Sequence, residues 1–165
     1  MLKNNYLITG GLGLIGSNIS KQLVRKKNVG KCILVDNYAG YINPLRRHFR
    51  DFRKYRFDDL QDKKVSYSIK KKYVFERGDV SDFKTMVHLI EKYKPKVIFH
   101  TAAVPVSKVQ NPNISEFRKG SLDTTINILD CVDFLQRRKL FKLDRFLYIS
   151  SSMVYGNFKK NKALE

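Results

Sequence analysis

Acidic residues are scarce in this chain: 15 Asp plus Glu stand against 33 Lys plus Arg over 165 residues, for a formal net charge of +18. Such a surplus can draw in nucleic acid, an anionic membrane surface or a small polyanion. It can equally be a solvated surface, which is the preferred reading, with part of the excess left to serve an anionic nucleotide. Cysteine is almost absent. Cys32 and Cys131 are too few for a disulfide framework and have no metal-ligand spacing, so both read as buried, reduced thiols and no metal site is expected. No apolar run approaches the roughly 20 residues of a membrane-spanning helix. The amino terminus enters a strand without a cleavable signal, so the expectation is a soluble, cytoplasmic protein with no membrane partner. There is no internal repeat and no low-complexity segment. The 42% apolar content and the chain length fit one domain with a real core.

The stretch that organises the chain is Thr9-Gly10-Gly11-Leu12-Gly13-Leu14-Ile15-Gly16, placed between the apolar Tyr6-Leu7-Ile8 and a helical pattern. Strand, glycine turn and helix in that order read as a dinucleotide-binding turn. The glycines allow a tight turn and close backbone approach to a pyrophosphate, and the helix directs its free N–H groups and positive dipole end at the phosphates. Ile15, Ile19 and Leu23 recur at helical spacing and are expected to bury against a sheet. A second strand, Cys32-Ile33-Leu34-Val35, ends in Asp36, 20 residues after Gly16. An acid there accepts hydrogen bonds from both adenosine ribose hydroxyls and repels a 2′-phosphate, which favours NAD over NADP.

From Asn37 to Lys72 the simple βαβ rhythm is interrupted. Arginines and lysines crowd around Phe49, Phe52 and Phe57, whose spacing predicts a short helix after Pro44. Basic residues interleaved with aromatics can stack on bases, but an amphipathic helix covering a sheet edge or a subunit contact is preferred. The rhythm resumes with strands at Tyr73-Val74-Phe75, Val97-Ile98-Phe99 and Phe146-Leu147-Tyr148-Ile149. Between them lie a helix capped by Ser81 or Asp82, with Phe83, Val87 and Ile90 on one face and Pro95 after its end, and a long helix of about Leu122 to Arg138, with Leu122, Ile126, Leu129 and Val132 inward. A loop with Pro105 and Pro112 precedes the long helix. His100 closes the fourth strand and reads as a packed, hydrogen-bonded residue, not a catalyst. Five apolar strands separated by helices imply an α/β, Rossmann-type, doubly wound parallel sheet. Small residues after a parallel strand, as in Thr101-Ala102-Ala103, leave room for a ligand at the switch point.

Taken together these residues resemble the extended short-chain dehydrogenase/reductases, the NAD-dependent epimerase/dehydratase group that acts on nucleotide sugars. Thr9 to Gly16 is similar to its Thr-Gly-x-x-Gly-x-x-Gly turn and Val35-Asp36-Asn37 to its ribose-binding strand end. Gly78-Asp79-Val80 resembles its adenine contact, His100-Thr101-Ala102-Ala103 its His-x-Ala-Ala segment, and Ser150 to Gly156 its Ser-Ser-x-x-Val-Tyr-Gly signature. The resemblance implies that Gly10, Gly13, Leu14, Ile15 and Gly16 contact the pyrophosphate of NAD, Asp36 and Asn37 the adenosine half, Asp79 and Val80 the adenine, and Ala102 and Ala103 the middle of the cofactor. It also implies that Ser151 is the catalytic hydroxyl that hydrogen-bonds the reacting sugar. In such enzymes NAD transiently oxidises a sugar carbon, and a Tyr base with a Lys four residues later moves the proton.

Three departures qualify the match. Tyr155 and Lys159 fit Tyr-x-x-x-Lys in spacing, but Tyr155 belongs to the Val-Tyr-Gly signature, and Gly156 and Asn157 are poor helix formers, so Tyr155 is not the expected base. Ser152-Met153 replaces the Asp-Glu pair of the sugar 4,6-dehydratases, which disfavours elimination of water. Ser121 and Thr124 stand where the family often has Asn and Gly, while Thr125 and Asn127 fit. The resemblance therefore implies one NAD-binding domain over residues 1–165, its sheet incomplete at the carboxyl end, the amino-terminal part of a longer enzyme and inactive alone, with a nucleotide-sugar substrate in the whole enzyme; the sequence leaves the oligomeric state open, a homodimer among the options. The alternatives are a non-catalytic nucleotide-binding module or truncated paralogue and, less favoured, a basic nucleic-acid-binding domain.

Overall fold

The computed structural model describes residues 3–38, 58, 60–104, 114–151 and 154. Five strands, β1 (Asn4–Thr9), β2 (Val29–Asp36), β3 (Tyr73–Arg77), β4 (Val97–His100) and β5 (Arg145–Tyr148), form one sheet in the order β3-β2-β1-β4-β5. Every pairing is parallel. Parallel neighbours need crossovers, and these are supplied by α1 (Leu14–Leu23), the short α2 (Tyr67–Lys70), α3 (Phe83–Tyr93) and α5 (Thr124–Arg137). A short α4 (Ile114–Phe117) and a π-helical stretch (Arg118–Asp123) lead into α5. The order reverses between β1 and β4, so the chain's switch point falls beside the glycine turn.

Alternation along the strands divides the core. Leu7, Ile33 and Ile98 face α3 and α5, where Met86, Leu89, Ile90, Ile128, Cys131, Val132 and Leu135 close the layer. Ile8, Cys32 and Leu34 face the other way, against Leu12, Leu23, Val24 and Leu60. Strands buried on both faces read as continuous apolar runs, which is how Cys32-Ile33-Leu34-Val35 appears in the sequence. Asp82 caps α3: its carboxylate accepts from Lys84 N (3.2 Å) and from Thr85 Oγ1 (2.6 Å). The helix ends on Lys94 in the left-handed conformation at φ 44°, directly before Pro95.

The expected strands are all present, each within two residues of its sequence bounds at both ends except β2, which begins earlier, at Val29. Both cysteines are buried and free. Two expectations about helix faces are corrected. Ile15 is half exposed, because it lies in the first turn of α1 at the open rim, while Ile19 and Leu23 do pack inward. On the long helix, Leu122, Ile126 and Leu129 point to solvent and only Val132 of the expected four is buried; the sheet receives Ile128, Cys131, Val132 and Leu135 instead. The helix carries apolar residues on two sides, and spacing alone does not say which one meets the sheet. The helix expected after Pro44, the loop with Pro105 and Pro112, and Tyr155 and Lys159 lie outside the described residues.

Candidate functional site

In an all-parallel sheet the carboxyl ends of the strands share one rim. The rim here carries Gly10 to Gly16 after β1, Asp36 and Asn37 at β2, Asp79 and Val80 after β3, Ala102 and Ala103 after β4, and Ser151 after β5. All twelve sequence-derived site residues therefore belong to one edge of the molecule.

The glycine turn is shaped by close backbone approach. Gly10 has φ +62°, and a Cβ placed there would lie 2.9 Å from both N and Cα of Ala102. A Cβ on Gly16 would lie 2.5 Å from the Gly10 carbonyl oxygen and 2.9 Å from Gly11 Cα. Helix α1 starts at Gly13 without a side-chain cap and with no acid in its first turn. Its leading N–H groups and dipole therefore meet no acidic side chain from the helix's own first turn, an arrangement that suits an anion. Leu14 and Ile15 flank this end as exposed apolar side chains.

Asp36 lies beside that turn, 7% exposed, with Oδ2 accepting from Leu12 N at 3.1 Å and Oδ1 accepting from Tyr38 N at 2.9 Å. One backbone amide per oxygen fixes the carboxylate and leaves further lone pairs on each oxygen for hydroxyl donors. Asp79 sits on the neighbouring loop. Burial raises its carboxyl's pKa, but the hydrogen bonds from Ser81 N, Ser81 Oγ and the Asn37 side chain, with the Lys119 charge, outweigh this and hold it below the usual value. Asn127 of α5 donates its side-chain amide to the Val80 carbonyl, so the 79–80 loop is tied to the long helix.

Behind the rim, His100 is packed and hydrogen-bonded as expected, and it joins residues whose mutual contacts the motifs did not indicate. His100 is 1% exposed and spans β1 and α5: Nδ1 is 2.7 Å from Thr9 Oγ1 and Nε2 is 3.1 Å from Thr125 Oγ1. Burial among Thr9, Thr125 and the rings of Phe146 and Tyr148 pushes its pKa down to about 4. Thr101 Oγ1 donates to the Thr9 carbonyl at 2.6 Å, and Val104 N donates to Ser121 Oγ at 3.2 Å. The sequence signals were a Thr closing β1 and a His closing its β4 neighbour, which the register sets side by side as Thr9 and His100. Ser151 follows β5 on the exposed side of the rim, and Ile149 N holds this exit to the His100 carbonyl at 3.2 Å. Among the described residues no cluster of three His, Cys, Asp or Glu could hold a metal ion. No helix of the described residues is long and apolar enough to cross a membrane.

A β3-β2-β1-β4-β5 parallel sheet with a glycine turn at the switch point and an acid at the end of β2 defines a Rossmann-type α/β domain. Comparison with known proteins makes the assignment narrower. Residues 7–165 match the GDP-mannose 4,6 dehydratase family, and the chain belongs to that family of NAD-dependent epimerases and dehydratases. It is similar to dTDP-D-glucose 4,6-dehydratase of Dictyostelium discoideum, at 29% identity over 153 residues, covering 92% of this chain and 30% of the relative. Among solved structures it resembles UDP-glucuronic acid 4-epimerase from Bacillus cereus in complex with UDP-glucuronic acid and NAD. That match has a TM-score of 0.71 at 22% identity and covers 98% of this chain and 44% of that one. It also resembles dTDP-glucose 4,6-dehydratase from Bacillus anthracis in complex with NAD, with a TM-score of 0.66 at 21% identity, covering 98% and 42%. The chain spans less than half the length of each of these relatives.

Proposed function

We propose that this chain is the cofactor-binding part of an NAD-dependent nucleotide-sugar epimerase or a related sugar-modifying enzyme. The observation that carries the reading is the Gly10 to Gly16 turn. It presents an uncapped helix end in a backbone cradle too tight for side chains, with the Asp36 carboxylate fixed beside it. An adenine dinucleotide matches that donor set: N–H groups at the start of α1 for the pyrophosphate and Asp36 for the ribose hydroxyls. The structures in complex with NAD that this chain resembles support the choice of cofactor. NAD, when bound, supplies a hydride acceptor for a sugar carbon.

The chain's own residues then divide the work. Gly10, Gly13, Leu14, Ile15 and Gly16 hold the pyrophosphate, and Asp36 and Asn37 hold the adenosine. Asp79 and Val80 border the adenine, and Ala102 and Ala103 leave space for the middle of the dinucleotide. Ser151 offers a hydroxyl at the exposed end of the rim, where a sugar hydroxyl would take its hydrogen bond. Ser152 and Met153, standing in place of the Asp-Glu pair that the dehydratases carry, favour epimerisation over elimination of water. A nucleotide-sugar substrate, a cytoplasmic location and a homodimer remain part of this reading for the protein as a whole.

The test is calorimetric titration of the folded chain with NAD and with NADP. NAD is expected to bind and NADP to bind at least about tenfold more weakly, a difference of about 1.4 kcal/mol. Asp36→Ala should weaken NAD by a similar factor. A well-folded chain that takes up no NAD, or an Asp36→Ala variant that binds it unchanged, refutes the proposal.

A further inference from the structure

The hydrogen bonds around His100 run in one direction only, and that direction can be read from donor counting. Thr9 Oγ1 accepts from Ala102 N at 3.3 Å and shares the Thr101 N–H with the Thr9 carbonyl oxygen, each at 3.2 Å. Two lone pairs are then engaged, so the single hydroxyl hydrogen of Thr9 is left for His100 Nδ1, which must be the acceptor. The other end gives the same answer. Thr125 Oγ1 donates its hydrogen to the Ser121 carbonyl at 2.8 Å, so it meets His100 Nε2 as an acceptor and that nitrogen carries the proton. Ser121 in turn accepts at Oγ from Val104 N. Both ends of the ring thus require the neutral Nε2–H tautomer. A protonated ring would aim an Nδ1–H at a hydroxyl oxygen whose lone pairs are already committed. Among the described residues, the groups facing the ring from β1, α5 and β5 are Thr9, Thr125, Phe146 and Tyr148, none of them an acid or a base of the Asp, Glu, Lys, Arg or His type.

We propose that His100, held as the neutral Nε2–H tautomer between Thr9 and Thr125, is a positioning residue that fixes the Thr101–Val104 backbone against the glycine turn and so sets the width of the cofactor cleft. This rests on the NAD-binding reading above and adds to it a role for residues that touch no cofactor. The mechanical link is the contact between Gly10 and Ala102: with no room even for a methyl group between them, a displacement of Ala102 displaces Gly10 and the head of α1. The relay holds Ala102 from one side through Thr9, and Ser121 holds Val104 from the other.

The experiment uses the whole chain, labelled with 15N at histidine, and NAD as the probe. Long-range 1H–15N spectra at pH 7, with the His100 signals assigned by their loss in His100→Gln, should show a pure Nε2–H tautomer. Calorimetry should show NAD binding weakened about tenfold or more by Thr9→Val and restored to within about twofold by Thr9→Ser, which keeps the hydroxyl. Thr125→Val, more distant from the glycine turn, should weaken NAD and turn the His100 signals into a tautomer mixture. It also provides the measurement if Thr9→Val does not fold. An Nδ1–H tautomer or a mixture in the wild-type chain overturns the relay. NAD affinity unchanged in either valine variant, with only the melting temperature lowered, overturns the positioning role and leaves a structural one. Failure of the wild-type chain to bind NAD sinks the functional reading above and the positioning role with it. A wrong tautomer in a chain that binds NAD normally sinks this inference alone.

Discussion

Gly10→Ala isolates the geometry on which the site depends. Two separate costs fall on this substitution. The first is conformational: φ at Gly10 is +62°, and an L-residue in that left-handed region costs roughly 1–2 kcal/mol. The second is steric, because the new Cβ would meet N and Cα of Ala102 at 2.9 Å and the Thr101 carbonyl carbon at 3.0 Å, all backbone atoms that no rotamer change can move. Overpacking of this kind adds about 1–3 kcal/mol. The sum, about 2–5 kcal/mol, is a large fraction of an ordinary domain's stability. Gly13→Ala provides the contrast. Its backbone, at φ −64° and ψ 168°, suits any residue, and its Cβ would meet only the Gly10 carbonyl oxygen within 3.5 Å, at 3.0 Å. Gly13→Ala should therefore cost less than about 1 kcal/mol in stability, while crowding the phosphate position and weakening NAD. Urea denaturation followed by circular dichroism measures the first quantity and calorimetry with NAD the second. Equal stability losses in the two variants, or a Gly10→Ala loss under about 1 kcal/mol, would show that the turn does not have the geometry described.

Three further outcomes follow from the same structure. Asp82→Ala removes the acceptor for Lys84 N and Thr85 Oγ1 at the start of α3 and should lower the urea midpoint with NAD affinity unchanged. Asp36→Asn puts an amide NH2 against one of two backbone donors, so it should destabilise the fold by about 1–3 kcal/mol even without cofactor, whereas a purely ligand-binding carboxylate would leave stability untouched. His100 is held neutral in the fold, its pKa lowered from an ordinary 6.5 to about 4, so the unfolded chain takes up the extra proton on acidification. Its contribution is complete above pH 6.5 and is lost as pH falls toward 4, at about 1.4 kcal/mol per pH unit and roughly 3 kcal/mol in all. Urea midpoints between pH 7.5 and 4.5 should fall more steeply for the wild-type chain than for His100→Gln, and parallel profiles would contradict the buried, neutral ring.

The sheet was legible because its signal is redundant. A buried parallel strand must be apolar on both faces, so Cys32 to Val35 and Val97 to Phe99 read as unbroken runs bounded by turn and helix signals, and their alternation with helices dictated a parallel sheet. The rim residues were legible for a different reason: Gly10, Gly16 and Asp36 are forced by contacts a few residues away in sequence or in an adjoining strand. The face of the long helix was not. Leu122, Ile126 and Leu129 and the truly buried Ile128, Val132 and Leu135 both follow helical spacing, and the choice between them depends on how α3 and the sheet receive the helix. The link between Thr9, His100 and Thr125 was illegible as well, since it joins residues 91 and 25 positions apart.

That link also explains why a histidine can close a buried strand beside the glycine turn without serving as an acid or a base. A general base must offer a lone pair to the substrate, and both ring nitrogens of His100 are already engaged, one accepting and one donating. What the ring does offer is two hydrogen-bonding atoms pointing in opposite directions, with the reach to join β1 to α5 across β4. An aliphatic residue would fill the same space but leave the hydroxyl hydrogen of the buried Thr9 without its acceptor. Burying polar groups in that way costs more than the packing returns. The side chain at position 100 therefore meets the needs of its neighbours on both sides, and through Thr9 it bears on the close approach of Ala102 to Gly10.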